Sequence, residues 1–160
     1  MHIRRLSPSD ADGLLAFYLS LSEETVRLFR PFDLTEEVIC AHLAEADAGK
    51  HISLGLVGPD GDIEGHSFIL SVDGEKPVFG IGLRERAVGR GWGHRLMEAV
   101  LAEADSLDLP LVTLTVIKDN HRASALYEKM GVEIREGVAF PGSENSYWME
   151  RKRPGEAADR

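Results

Sequence analysis

The residues best placed to do chemistry form a glycine-rich segment near the middle of the chain, residues 89–93, with the sequence Gly-Arg-Gly-Trp-Gly. A β-rich run that ends at Leu83 precedes this segment, and an apolar pattern with helical spacing begins at Leu96. The first N–H groups of a helix have no partner within the helix, and the helix dipole places positive potential there. Because glycines let a ligand approach the main chain closely, this junction predicts a binding site for phosphate groups.

Side-chain charge around this segment has the same sign as a helix N-terminus. Between residues 84 and 95 the chain has four arginines and one acid, a local net charge of +3, whereas the whole chain carries −9 at pH 7. These residues are Arg84, Arg86, Arg90 and Arg95, with Glu85 as the acid and His94 beside them. An island of positive charge in an acidic protein favours a ligand that carries phosphates.

Two common phosphate-binding patterns do not fit this segment. A Walker P-loop ends in Gly-Lys followed by Ser or Thr, whereas residues 93–95 are Gly-His-Arg. A dinucleotide-binding pattern that starts at Gly91 would need its third glycine where Leu96 stands, and the chain is too short for two nucleotide-binding halves. An ordinary strand-to-helix turn stays open at this point as the alternative to a phosphate site.

Composition restricts the class of protein. The chain has 160 residues, of which 43% are hydrophobic and 28% are charged, and these proportions are typical of a single soluble domain. We expect one domain over residues 1–151 and a flexible tail over residues 152–160. The acidic balance, with a pI near 5.1, argues against nucleic acid as a partner, because the chain has no basic surplus to displace counterions.

The single cysteine and the absence of a long apolar run narrow the expectations further. Cys40 excludes an internal disulfide and a multi-cysteine zinc site, and its apolar helical surroundings predict a small buried side chain. No apolar run reaches the roughly 18 residues that a membrane-spanning helix needs, and no apolar signal segment follows the N-terminus. We therefore expect no metal, no membrane association and a cytoplasmic location.

Apolar periodicity places the glycine-rich segment in a sheet flanked by helices. A short strand and two helices come first, the second helix capped by Thr35, and three strands follow, the last over residues 78–83. After the segment come a long helix, a strand over residues 111–117, a helix that begins at Asn120 and ends at Gly131, and two final strands. This order predicts an α/β (α+β) fold with a mixed, mostly antiparallel sheet of about seven strands and about four helices.

Two segments resemble the hallmark motifs of the GNAT N-acetyltransferase superfamily. Residues 80–97, which contain the glycine-rich segment, are similar to its acetyl-CoA signature. Residues 120–132, Asn-His-Arg-Ala-Ser-Ala-Leu-Tyr-Glu-Lys-Met-Gly-Val, are similar to its motif N-x-x-A-x-x-L-Y-x-x-x-G-F. The two motifs lie at the family's usual separation, with a helix and a strand between them. The resemblance implies the GNAT fold, acyltransferase activity and acetyl-CoA as cosubstrate.

The resemblance also implies roles for the residues that match the motifs. Backbone groups around Gly82 and Leu83 would bind the pantetheine arm of CoA as an added strand does, and Asn120 would help to hold the same arm. The loop that Val88 opens would bind the pyrophosphate through its backbone amides. The other loop residues are Gly89, Arg90, Gly91, Trp92, Gly93 and His94.

Tyr127 matches the tyrosine of the second motif. The resemblance implies that it is the general acid that returns a proton to the departing CoA thiolate. A phenol suits this role, because a thiolate whose conjugate pKa is near that of cysteine needs only a positioned proton donor. The alternative is an aromatic side chain packed on the apolar face of its helix.

The first motif departs from the family pattern at the position that opens the loop. Family members usually have Gln or Arg there, whereas this chain has Val88. A register from Arg86 to Gly91 matches R-x-x-G-x-G but shifts the loop by two residues from the helix start. Because the loop acts mainly through backbone amides, we expect the Val88 register to bind CoA, with Arg86 or Arg90 as a source of side-chain charge.

The sequence leaves the general base open. Many family members have a glutamate on the central strand at about the position of Gly80. The candidates in this chain are His66, Glu85, Glu23 and Glu24, and each has a surface or loop position as its competing interpretation.

The acceptor is expected to be a primary amine of a small molecule or a protein. The acidic excess favours an amine that arrives positively charged. Residues 21–32 are similar to a segment of bacterial protein lysine acetyltransferases, with an amphipathic helix that covers the sheet as the alternative. A non-catalytic module that binds acyl-CoA stays open as a second class, and so does the length of the acyl group. The resemblance also allows a homodimer, because the late strands of such folds often pair between subunits.

Overall fold

In a computed structural model, which describes residues 1–155, the chain forms one seven-stranded sheet with helices on both faces. The strands are β1 (His2–Arg5), β2 (Ile52–Val57), β3 (Ile63–Leu70), β4 (Val78–Leu83), β5 (Leu111–Ile117), β6 (Glu133–Ile134) and β7 (Ser146–Lys152). The helices are α1 (Ala11–Leu19), α2 (Glu23–Leu28), α3 (Glu36–Asp47), α4 (Trp92–Ser106) and α5 (His121–Lys129). Short 3₁₀ helices cover Pro8–Asp10 and Glu85–Ala87.

The sheet is mixed and mostly antiparallel, as the order of elements predicts. Its strands lie in the order β1-β2-β3-β4-β5-β7-β6, and β4 with β5 is the parallel pair. The described residues contain one short helix, α2, beyond the expected number of about four. The predicted fold class is confirmed.

Two apolar clusters hold the helices on the sheet. On one face, Leu96, Met97 and Val100 of α4 are fully buried against strands β2 to β5. On the opposite face, Leu14 of α1 and Leu43 of α3 are fully buried in a second cluster. We name these the α4 face and the α1 face of the sheet.

The predicted helix caps are confirmed. The Thr35 hydroxyl accepts a hydrogen bond from the Val38 amide at 3.2 Å, and the Asn120 side chain accepts one from the Ala123 amide at 3.3 Å. Gly131 follows the end of α5 with a φ of +85°, a backbone conformation that favours glycine.

The prediction of a buried Cys40 is wrong. Cys40 is exposed, whereas the preceding residue, Ile39, is fully buried. One step along an α-helix turns the side chain by about 100°, so the residue after a core position points towards solvent.

The predicted domain end lies within the last strand. Lys152 still belongs to β7, and Arg153 forms an ion pair with Asp108 at 2.7 Å. Residues 156–160 of the predicted tail lie outside the described residues, so the division into domain and tail stays a prediction. Among residues 1–155, no helix is both long and apolar enough to cross a membrane.

Candidate functional site

The site begins where two neighbouring strands separate. Parallel strands β4 and β5 are in register at one pair, Val78 with Thr113, and the Thr113 amide donates to the Pro77 carbonyl at 2.8 Å. From there to Leu83, β4 is paired with β3 on its other side. The edge of β4 that faces β5 therefore presents backbone groups to which an extended ligand can add as a strand.

A cavity of about 820 Å³ occupies this opening. It is lined by α2 and the residues after it, by β3, β4 and β5, by the loop before α4 and the first turn of that helix, and by α5. The cavity thus connects α2 with the N-termini of α4 and α5. This size is in the range of small-molecule and cofactor sites.

One end of the cavity has the properties of an anion site. Gly89 and Gly91 have φ values of +78° and +84°, which residues with a side chain adopt only at a cost. Gly91 caps α4, and the first helical hydrogen bond runs from the Arg95 amide to the Gly91 carbonyl at 3.2 Å. The preceding amides, from Trp92 to His94, have no carbonyl partner in the helix and can bind phosphate oxygens.

The arginines around this end have different partners. Arg86 forms an ion pair with Glu64, a residue of β3 that is 4% exposed, and this pairing lowers the pKa of the Glu64 carboxyl. The Arg95 guanidinium lies over the Trp92 ring at 4.3 Å. Arg86 is therefore engaged with the sheet, and it does not line the cavity. Arg122, in the first turn of α5, does line it.

The structure brings most of the predicted binding residues together. Eight of the ten line the cavity, namely Gly82, Leu83, Val88, Gly89, Gly91, Gly93, His94 and Asn120. Arg90 and Trp92 belong to the same segment but do not line the cavity. Their roles in binding CoA stay predictions.

Tyr127 lines the middle of the cavity and is 7% exposed. Its ring packs edge-on against Phe79 of β4, with centroids 5.7 Å apart. Within residues 1–155 its hydroxyl has no hydrogen-bond partner, and burial raises the pKa of this phenol above its ordinary value. Tyr127 is therefore a neutral donor whose proton is free for a ligand.

Two glycines of β4 make room for aromatic rings on the α1 face. A Cβ at Gly80 would lie 2.3 Å from Phe68, and a Cβ at Gly82 would lie 2.2 Å from Phe29. Phe68 is the cross-strand partner of Gly80. Its ring thus fills the space beside Gly80, the position for which the family resemblance would have implied a glutamate.

A buried polar chain lies behind these rings. The Tyr18 hydroxyl and His66 Nδ1 are 2.6 Å apart, His66 Nε2 and the Ser53 hydroxyl are 2.7 Å apart, and the same hydroxyl is 3.0 Å from His42 Nε2. His66 is fully buried, so its interpretation as a surface or loop residue is wrong. Burial, and to a smaller degree His42, holds the pKa of His66 well below its ordinary value.

The other three base candidates lie elsewhere. Glu23 and Glu24 are exposed on α2, and Glu24 is paired with Arg27 at 2.8 Å. Glu85 is the member of the four candidates that lines the cavity. It lies two residues after β4, on the side of the cavity that leads to the glycine-rich segment, which we name the anion end.

The histidine chain predicts an acid-sensitive stability. Burial, with a smaller contribution from His51, lowers the pKa of His42 from 6.5 to about 4. As the pH falls, His42 therefore binds a proton in the unfolded chain at a higher pH than it does in the folded chain. Protonation then favours the unfolded state, and the unfolding free energy falls as the pH drops from 6.5 towards 4. We expect His42 alone to cost about 2 kcal/mol of unfolding free energy between pH 7 and pH 5.

Urea unfolding of the parent protein and of His42→Gln at both pH values measures this loss. For each protein we take the change in unfolding free energy between pH 7 and pH 5. A loss of stability that is the same at both pH values then cancels. An equal pH dependence in both proteins would contradict the assignment to His42.

Several residues that line the cavity were not predicted individually from the sequence, among them Phe68, Phe29, Arg30 and Arg122. Phe68 and Phe29 were not identified, because the space over a glycine depends on the register between strands. Arg122 could have been predicted from the sequence, because it stands two residues after the Asn120 cap, in the first turn of a helix.

Within residues 1–155, no group of three or more His, Cys, Asp or Glu side chains is placed to hold a metal ion.

Most of the chain matches the sequence model of a known protein family. The sequence model of the acetyltransferase (GNAT) family matches residues 14–132. No curated protein matches the sequence.

Solved structures share the fold over nearly the whole chain. An acetyltransferase of the GNAT family from Streptococcus pneumoniae is 25% identical with a TM-score of 0.77, and the match covers 95% of this chain and 98% of that one. The PaiA N-acetyltransferase from Thermoplasma acidophilum, solved in complex with coenzyme A, is 15% identical with a TM-score of 0.77 and coverages of 94% and 98%. The ribosomal-protein-S5-alanine acetyltransferase from Vibrio fischeri is 12% identical with a TM-score of 0.78 and coverages of 96% and 93%. The two lower identities show likeness of fold.

Proposed function

The chain belongs to the acetyltransferase (GNAT) family and is a transferase, and from this premise we propose that it moves an acetyl group from acetyl-CoA to a primary amine by direct transfer in a ternary complex. One observation carries the proposal. A single cavity connects the free N-terminus of α4, the hydroxyl of Tyr127 and the aromatic side chains of the α1 face. It therefore offers one place for a phosphate-bearing donor and another for an acceptor.

The donor set of this chain fits CoA. The amides of the α4 N-terminus and Arg122 suit the pyrophosphate, because both present N–H groups and positive charge. The unpaired edge of β4 near Gly82 and Leu83 suits the amide groups of pantetheine. Asn120 lines the same cavity while its side chain caps α5. When bound, acetyl-CoA supplies an acyl thioester that an amine can attack.

Tyr127 serves the leaving group in this reaction. The amine nitrogen forms a bond to the acetyl carbon, the carbon–sulfur bond breaks, the nitrogen loses a further proton as the amide forms, and the thiolate needs one. The Tyr127 hydroxyl is protonated at neutral pH and has no partner in residues 1–155, so it can donate a proton to the thiolate, and the proton that the nitrogen releases returns Tyr127 to its neutral form. Cys40 lies on α3 and does not line the cavity, which supports direct transfer without an acyl-cysteine.

The amine must lose a proton before it attacks. Among the four candidate bases, Glu85 lines the cavity, whereas both ring nitrogens of His66 are engaged in the buried chain. Because Glu85 lies towards the anion end of the cavity, we assign it this proton through water between it and the amine, not by direct contact.

Binding of CoA is expected to raise the thermal stability of the protein. At a free CoA concentration 100 times Kd, binding adds about 2.7 kcal/mol to the unfolding free energy, which corresponds to about 5–10 °C for a chain of this size. Thermal unfolding with and without CoA measures the shift, and dephospho-CoA and pantetheine show which part of the molecule contributes. An unchanged melting temperature at millimolar CoA would contradict the donor site.

Thiol release from acetyl-CoA in the presence of amines tests the transfer step. We expect release that depends on the amine, together with the acetylated amine as product. The second class, a module that binds acyl-CoA without turnover, draws support from the space over Gly80 that Phe68 fills in place of a carboxylate. A thermal shift with CoA and no release with any amine would favour that module.

A further inference from the structure

We propose that the acceptor is a small amine of the α-amino acid type, with an aromatic or branched apolar body and a free carboxylate. This inference rests on the proposed acetyl transfer and names the substrate class for the same cavity. The amino group of such a molecule still arrives as an ammonium, as the total charge of the chain favours, but its carboxylate leaves the molecule without a net positive charge.

The acceptor end of the cavity has apolar walls. Phe68, Leu70 and Val78 line it from the α1 face of the sheet, and Leu28 and Phe29 line it from α2 and the residue that follows. The rings of Phe29 and Phe68 are stacked, with centroids 6.2 Å apart. Val78 is 40% exposed, so part of its apolar side chain is open to solvent at this end. An acceptor with an apolar body would remove this surface from water.

Carboxylates do not line this end. Among residues 1–155, Glu85 is the acid that lines the cavity, and it lies beyond Leu83 on the side of the anion site. Glu23 and Glu24 of α2 do not line it. A second ammonium group, as in a polyamine, would lose water here without an opposite charge, which is unfavourable.

Arg30 is the charged side chain at this end. It lines the cavity beside Phe29 and is exposed. No carboxylate oxygen of residues 1–155 lies within the 4.0 Å of an ion pair with its guanidinium. A planar guanidinium binds a carboxylate through two parallel hydrogen bonds and repels cations. Together with the apolar walls, Arg30 favours an acceptor that has both an apolar side chain and a carboxylate.

Amines that differ in a single feature test recognition of the carboxylate and of the apolar body separately. We would measure thiol release from acetyl-CoA with L-phenylalanine, with phenethylamine, which lacks only the carboxylate, with spermidine and with a lysine peptide. Each amine is tested on the parent protein, on Arg30→Gln and on Arg27→Gln. Arg27 lies on α2, is paired with Glu24 and does not line the cavity, so its substitution controls for the loss of one positive charge nearby.

We expect L-phenylalanine to have the highest kcat/KM of the four amines. Arg30→Gln should raise KM for L-phenylalanine about 10-fold with kcat nearly unchanged, because a charge-assisted hydrogen bond is lost. The same substitution should leave KM for phenethylamine within about twofold, and Arg27→Gln should leave both amines within about twofold.

Three outcomes would overturn the inference. Preference for spermidine or the lysine peptide would exclude the substrate class while leaving acetyl transfer intact. An equal rise in KM for both phenyl amines in Arg30→Gln would exclude recognition of the carboxylate. A thermal shift with CoA and no release with any amine would refute both this inference and the proposed function.

Discussion

Replacement of Tyr127 by phenylalanine is expected to lower kcat for acetyl transfer about 100-fold and to leave the Kd for CoA within about twofold. The substitution removes only the hydroxyl, and the ring keeps its edge-on contact with Phe79. Because the hydroxyl has no hydrogen-bond partner in residues 1–155, no buried group of the protein is left unsatisfied. Steady-state kinetics and CoA titration measure the two quantities separately.

Tyr147→Phe is the matched control for this experiment. Tyr147 lies on β7, is half-buried and does not line the cavity, so its loss of a hydroxyl should not change kcat. Equal turnover of Tyr127→Phe and the parent protein would remove Tyr127 from the mechanism. A large loss of CoA affinity would instead indicate that the hydroxyl holds the donor.

Replacement of Gly93 by aspartate is expected to weaken CoA binding about 100-fold, or about 2.7 kcal/mol. Gly93 is the second residue of α4 and lines the anion end of the cavity. A carboxylate at this position would repel the pyrophosphate and compete for the free amides of the helix. The protein without CoA should keep its stability, because acids in the first turn of a helix are favourable.

Gly93→Ala separates charge from size. A Cβ at this position would lie 3.5 Å from Leu83 and 3.8 Å from Leu126, which are ordinary contact distances, and the backbone there needs no left-handed conformation. We expect the alanine variant to bind CoA within about fivefold of the parent protein. Similar losses in both variants would mean that space, and not charge, decides binding at this end.

Much of the fold was predictable from local patterns. The caps at Thr35 and Asn120 and the helix end before Gly131 depend on residues within a few positions of each other, and the structure confirms all three. The junction between β4 and α4 was equally readable, because its glycines and the following apolar pattern stand in one short segment. The family motifs come from the same two segments.

Some properties of the site depend on contacts that no local pattern records. Arg86 was expected to offer charge to a ligand, but it binds Glu64, a residue 22 positions earlier on another strand. His66 was expected near the surface, but Tyr18 and Ser53 enclose it from α1 and β2. The total charge favoured a cationic acceptor, whereas the acids of α2 do not line the cavity.

By itself the sequence therefore determined the family, the order of the elements apart from α2, and the position of the glycine-rich junction between β4 and α4. Each of these follows from residue types at short spacing, where helix caps, turns and apolar periodicity act. Only the tertiary structure decided which side chains line the cavity, that Arg86 is paired with Glu64, and where the buried histidines lie. These properties arise when strands pair in a particular register and helices cover a particular face, so that Phe68 comes to lie beside Gly80 and Arg30 reaches the cavity.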